Sequence, residues 1–284
     1  MRRIGLVTIL ALALVAASCH RDEHEHGARE TAAETAAPPA VVGTSPPPAA
    51  PQAGGLTELV AYGDASGYLA LPAAGTAAAA KKPGLIVIQE WWGVDDWIKE
   101  QSARFASRGY VALAPDLYRG RTAKSPDEAH ELMRGMPEDR AMADLKAAVD
   151  FLAARPDVDP NRIGVIGWCM GGGYALKLAT ADRRLRATAV NYGSVITDRD
   201  AIARINSEIL GSYGGGDRGI PAADVKKFGA DLTQYGKLAD IKIYDGAGHA
   251  FMNPNNKQGY DAAAAQDAWR RIDGFFERLL RPGK

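Results

Sequence analysis

Short apolar runs alternate with longer amphipathic segments along most of this chain. The runs are Gly84–Gln89, Tyr110–Ala114, Ile163–Gly167, Ala187–Asn191, Ser207–Tyr213 and Asp240–Tyr244. Short, continuous and β-branched, they fit strands buried on both faces. The segments between them include Asp96–Ser107, Pro137–Ala154, Met170–Ala181, Pro221–Tyr235 and Gln258–Leu280, whose apolar residues recur at helical spacing. Leu56–Tyr62 and Gly67–Leu71 read as an opening hairpin, and Pro156-Asp157-Val158-Asp159-Pro160 as a turn feeding the next strand. Alternation of this kind predicts an α/β fold with a mostly parallel sheet of about seven or eight strands, covered by helices on both faces. We find no internal repeat and no segment that would make a large lid domain.

The pattern is different before Leu56. Arg2 and Arg3 precede an apolar run from Ile4 to Ala17, and Ala16-Ala17-Ser18 leads into Cys19. At about fourteen residues the run is shorter than the roughly twenty that span a bilayer comfortably. It is expected to be a signal peptide, residues 1–18, of the bacterial lipoprotein type, with Cys19 lipidated as the mature N-terminus. Ordinary secretory cleavage nearby and an uncleaved anchor are the alternatives, and every one of these readings exports the protein to the cell envelope. Residues 19–55 are rich in Ala, Pro, Glu and Thr with almost no large apolar side chains, a composition that cannot offset its ordering entropy and is expected to serve as a tether. His20, His24 and His26 lie among acids there; without fixed ligand geometry they read as a solvated polar patch rather than a metal tract. Residues 56–284 form the expected folded domain.

Composition narrows the chemistry. Lys plus Arg and Asp plus Glu balance at 34 each, which leaves no electrostatic footprint for nucleic acid. The cysteines are Cys19 and Cys169 alone, so no disulfide framework is expected.

Cys169 occupies the centre of Gly167-Trp168-Cys169-Met170-Gly171, directly after an apolar strand and before a helical stretch. A nucleophile between two such glycines at a strand-to-helix turn is the pattern of a nucleophile elbow, here with Cys where Ser is usual. The alternative is a small buried thiol in a glycine-rich turn. At such an elbow the Met170 amide, opening the helix, would point at a developing oxyanion.

A thiol nucleophile needs a base. In the expected domain the histidines are His130 and His249. His249 sits in a small-residue loop after the strand ending at Tyr244, where function collects in open α/β sheets, whereas His130 lies in a charged helical stretch and reads as a surface or pocket-rim residue. In this fold class the acid falls between nucleophile and histidine. Asp217, reached from its strand through Gly214-Gly215-Gly216, fits better than Asp198, Asp200, Asp224 or Asp231; its plainer reading is a turn aspartate. Glu90 ends the strand Gly84–Gln89 and needs a partner if buried. It is expected near Cys169, with the Trp91 amide as a second oxyanion donor. Trp91 and Trp92 can line an acyl pocket or simply pack.

Gln89-Glu90, Gly167-Trp168-Cys169-Met170-Gly171-Gly172, Asp217 after its glycines, and Gly248-His249-Ala250-Phe251, with Ala114-Pro115-Asp116-Leu117-Tyr118 in agreement, resemble the dienelactone hydrolase family of α/β-hydrolases. The likeness runs from about Leu56 to Arg281 and rests on motif order. It implies an α/β-hydrolase fold, a Cys169–His249–Asp217 triad with Glu90 holding or polarising the thiol, an oxyanion hole of the Trp91 and Met170 amides, and hydrolysis of a small ester or lactone through a thioester. Trp92, Tyr118, Phe251 and Asn253 are the expected substrate contacts. Members that cleave dienelactone resemble one another in carrying an arginine where this chain has Asn253, and a neutral amide cannot make the same charged pair with a carboxylate. The family's second arginine has no clear match, although Arg119, Arg121 and Arg134 lie nearby.

No metal or organic cofactor is expected, and the only partners are a small substrate and, through the lipid, a membrane; the chain is expected to be a monomer. Glu90 beside Cys169 should oppose thiolate formation and guard the thiol against oxidation. Rival readings are a thioesterase or activated-ester hydrolase and a tethered binding protein with a silent site.

Overall fold

The computed structural model describes residues 55–73 and 81–281. The expected signal peptide, Cys19, the histidine tract and nearly all of the tether lie outside them. In chain order the elements are β1 (Thr57–Tyr62), β2 (Ala65–Ala70), β3 (Lys82–Ile88), α1 (Asp96–Ser107), β4 (Val111–Pro115), α2 (Pro126–Arg134), α3 (Glu138–Ala154), β5 (Val158–Trp168), α4 (Met170–Ala181), β6 (Leu185–Asn191), α5 (Arg199–Arg204), β7 (Glu208–Gly214), α6 (Ala222–Gln234), β8 (Ala239–Tyr244) and α7 (Ala262–Leu280).

The strands form one eight-stranded sheet in the order β1-β2-β4-β3-β5-β6-β7-β8. β1 and β2 are the expected hairpin, and β2 runs antiparallel to β4, but every pairing from β4 across to β8 is parallel. Helices cover both faces, and the strands divide their side chains between two cores with period two. In β3, Ile86 and Ile88 join the core under α2, α3, α4 and α6, while Leu85 and Val87 join the core under α1 and α7. Leu85, Ile86, Val87 and Ile88 are all fully buried, which is why these strands read as unbroken apolar runs.

The elements depart from the sequence pattern in places that have a physical reason. β5 begins at Val158 rather than after Pro160, because Val158 pairs with Lys82 before a register shift restores the main ladder. α7 starts four residues later than its apolar spacing suggests, where the Asp261 carboxylate accepts the Ala264 N–H at 3.0 Å and caps the first turn. α5 was not visible in the pattern: six residues are too few to display a helical period, and the Asp198 side chain nucleates it by accepting from Asp200 and Ala201.

Candidate active site

The parallel strands bring the candidate residues to one edge. Glu90 follows β3, Cys169 follows β5, Tyr192 follows β6, Asp217 follows β7 and His249 follows β8, and these strands are neighbours in that order. Five adjacent carboxyl ends thus converge on one crevice, the usual ligand position in an open parallel sheet.

Cys169 stands between the last residue of β5 and the first of α4, with φ 54° and ψ −121°. This left-handed backbone is costly for a residue with a Cβ. Surrounding contacts hold it. The Cys169 N–H donates to Asn191 O at 3.0 Å, and its carbonyl accepts from the Gly172 and Gly173 amides at 3.1 and 3.3 Å. A Cβ on Gly167 would collide with the Gly171 carbonyl, and one on Gly171 would collide with the carbonyls of Ile88 and Gln89. Gly172 and Gly193 cross equally closely. The glycines are therefore requirements of the turn rather than incidental small residues.

The backbone amides of Trp91 and Met170 favour the charged form of the Cys169 sulfur. Burial and then the nearby charge of Glu90 act more strongly in the opposite sense, and the thiol pKa is pushed up to about 12. At neutral pH the resting sulfur is accordingly a thiol.

His249 and Asp217 meet as the sequence suggested. Asp217 Oδ2 lies 2.6 Å from His249 Nδ1, and Oδ1 accepts the Gly219 and Ile220 amides at 2.8 and 3.2 Å. The Asp217 side chain is 2% exposed and that of His249 is 40% exposed, so the carboxylate is sealed beneath an imidazole that solvent or substrate can reach. The Gly215 N–H to Tyr244 O and Gly216 N–H to Ala247 O bonds tie the loop bearing Asp217 to the loop bearing His249.

Glu90 is buried and receives two neutral donors: Tyr192 Oη to Oε1 at 3.2 Å and Asn253 Nδ2 to Oε2 at 2.7 Å. Burial raises its pKa to about 7, with these hydrogen bonds pulling down and Asp95 pushing further up. Tyr192 has φ 39° and its ring lies edge-on to His249 at 5.4 Å. Sequence reasoning missed Tyr192. The available signal was its place directly after an apolar strand and before a glycine.

Several expected substrate contacts are placed elsewhere. Asn253 commits its amide nitrogen to Glu90 and its oxygen to the Asn255 N–H at 2.9 Å, and is 3% exposed; it does not present its polar edge to the crevice. The turn of the chain at Ala250, φ 56°, and the Asn253 N–H to Ala250 O bond direct it inward. Phe251 is fully buried between Tyr192 and Tyr244 and supports the loop from beneath. Tyr118 is also buried, with its hydroxyl on Met170 Sδ at 3.3 Å; burial, then the proximity of Cys169, raises its pKa. Trp92 is half-buried and packs edge-on against Trp91 at 5.0 Å. Exposed His130 packs on the other ring contact of Trp91 at 4.8 Å, which makes it a rim residue. Arg119 is paired with Asp144 at 2.7 Å, and Arg134 donates to His130 O. Among the described residues no group of three or more His, Cys, Asp or Glu is placed to hold a metal ion.

The folded part of the chain is similar to known proteins. The model of the dienelactone hydrolase family matches residues 66–280. A Methylorubrum extorquens protein provisionally named a carboxymethylenebutenolidase is 33% identical over 74% of this chain and 76% of its own length. The protein usf of Aquifex pyrophilus is 36% identical over 75% of this chain and 93% of its own. Among solved structures, a Klebsiella pneumoniae protein provisionally described as a dienelactone hydrolase shares 28% identity with a TM-score of 0.71, covering 79% of this chain and 99% of that one. A dienelactone hydrolase-like promiscuous phosphotriesterase from metagenomic libraries shares 25% identity with a TM-score of 0.72, covering 80% and 99%.

Proposed function

This chain belongs to the dienelactone hydrolase family, and on that footing we propose that it cleaves a small ester or lactone with Cys169 as nucleophile, His249 as base and Asp217 as the acid that orients it. The observation that carries the reading is the strained elbow that holds Cys169 at φ 54° on the same sheet edge where Asp217 Oδ2 lies 2.6 Å from His249 Nδ1. The Trp91 and Met170 amides, which act on the sulfur, are the donors that would meet the charge a carbonyl oxygen gathers once the sulfur bonds to its carbon.

The steps follow from the groups present. Asp217, bonded to Nδ1, keeps the His249 proton on that nitrogen and leaves Nε2 to accept one. His249 takes the thiol proton as sulfur attacks the carbonyl. The tetrahedral oxyanion then moves into the amide pair and collapses, expelling the alkoxide, which His249 protonates. Water, deprotonated by His249, attacks the thioester; the acid leaves and the thiol returns. Because the resting thiol is protonated, transfer to His249 is part of the barrier rather than a step completed beforehand. Glu90, when ionised, opposes an early thiolate and acts as a guard.

The test is hydrolysis of p-nitrophenyl acetate and a panel of small lactones by the full chain, Cys169→Ala and His249→Ala. Loss of turnover in both folded variants, with an acid-quenched acetyl adduct found on Cys169 in the parent, is the expected outcome. Turnover that survives Cys169→Ala rejects the assignment. We also propose that residues 1–18 export the protein and that Cys19 carries lipid; fatty-acid labelling lost in Cys19→Ser is the check.

A further inference from the structure

The charges around Cys169 bear on which acyl groups can enter. Glu90 and Asp217, both acids, weigh on its sulfur. Glu90 has Asp95 as a further acidic neighbour, and its bonded partners, Tyr192 and Asn253, are neutral. Cations on the loop after β4 and on α3 and α4 bond to other groups. Arg119 reaches both carboxylate oxygens of Asp144 at 2.7 and 2.9 Å, Arg140 donates through Nη2 to Leu117 O at 2.9 Å while its buried Nε has no partner, and Lys177 pairs with Glu138 at 2.6 Å. Arg121 and Arg218 are exposed, where a guanidinium is hydrated and its pairing weak. An acyl chain ending in a carboxylate would lose water beside Glu90, an acid whose bonded partners are neutral, which is unfavourable.

We propose that the acyl side of this site admits uncharged groups and turns carboxylates away, and that Asn253 sets the preference by acting as a fixed neutral donor to Glu90. Asn253 is then a positioning residue that determines specificity from beneath the crevice. The consequence for substrate class rests on the hydrolase reading above, but the charge preference itself can be measured without turnover.

The full-length protein is alkylated at about pH 8 with iodoacetamide or iodoacetate, reagents matched in size and differing in charge, and modification of Cys169 is followed by peptide mass mapping. The rate ratio is normalised to the same pair reacting with glutathione. Cys169 is expected to favour iodoacetamide over iodoacetate by about tenfold more than glutathione does, the size of effect one nearby charge exerts in a partly buried site. Asn253→Arg, which sets a guanidinium beside Glu90, should bring the ratio back by about tenfold. Glu90→Gln should shift it the same way, and carries the test if the arginine variant fails to fold by circular dichroism. A ratio equal to that of glutathione overturns the proposal; an unchanged ratio in folded Asn253→Arg overturns the role of Asn253.

In parallel, kcat/KM is compared for p-nitrophenyl butyrate and p-nitrophenyl hydrogen succinate, with the neutral ester expected to lead by about tenfold. Equal turnover of the two rejects the selectivity while leaving the hydrolase intact. Turnover of neither, with the alkylation preference preserved, supports the selectivity and rejects the hydrolase.

Discussion

The loops after β3 and β7 each place one buried carboxylate beside the same reacting groups, and they solve its burial differently. Asp217 receives two backbone amides and an imidazole that can carry charge. Glu90 receives a phenol and a carboxamide, neither of which can become a cation. The two neutral donors offset only part of what burial costs the Glu90 anion, so burial drives this carboxylate toward its protonated form. Two acids close to one thiol thus have opposite work: one steadies a developing imidazolium, and the other stays near the point of titration, where its charge restrains the sulfur.

Breaking the Asp217 side should have the larger kinetic effect. Asp217→Asn is expected to lower kcat on p-nitrophenyl acetate by roughly 10²–10⁴-fold, because the amide no longer fixes the productive tautomer or steadies imidazolium. Steady-state kinetics on the folded variant checks this, and a loss under threefold would contradict the assignment.

On the Glu90 side the expected signature is a pH-dependent stability. Its pKa rises from 4.5 to about 7 on folding, so the folded chain binds this proton more tightly than the unfolded one. The stabilisation is therefore whole below about pH 4.5 and is lost as pH climbs through 7, to a limit of roughly 3 kcal/mol. Urea midpoints measured from pH 5 to pH 8 should fall in the parent relative to Glu90→Gln. A constant difference between the two proteins would count against a titrating Glu90.

The same substitution should raise the iodoacetamide rate at Cys169 by about tenfold at pH 8, since removing a like charge lowers the thiol pKa. Unchanged reactivity would dismiss the guard role. The smallest effect is expected from Tyr192→Phe. It withdraws one donor from Glu90, so the pH at which the Glu90 contribution to the urea midpoint is lost should move upward by less than about one unit.

Much of this was legible in the chain because the elbow, the glycine-led Asp217 and the Gly248-His249 loop are local patterns attached to strongly apolar strands. The parallel sheet then fixes their spatial order almost automatically. Tyr192 and Asn253 were not legible in their roles, since both depend on where a backbone turn sends a side chain. Tyr192 swings toward Glu90 from a left-handed conformation just beyond β6, and Asn253 is curled inward by the turn at Ala250. An asparagine in an exposed-looking Asn-Pro-Asn stretch gives no hint of a buried carboxylate 163 residues away. Phe251, expected among the substrate contacts from the family resemblance, is fully buried against Tyr192 and Tyr244 just after the turn at Ala250.

The strain at position 169 also has an evolutionary reading. Its unusual φ is imposed by carbonyl and glycine contacts around the main chain, so the turn presents whatever small side chain it is given. Cys and Ser codons differ by one base, and an exchange between them would alter the chemistry of the crevice while leaving its architecture in place. A lineage built on this frame can therefore trade nucleophiles in one mutational step, then adjust residues such as Glu90 and Asn253 to suit the new one.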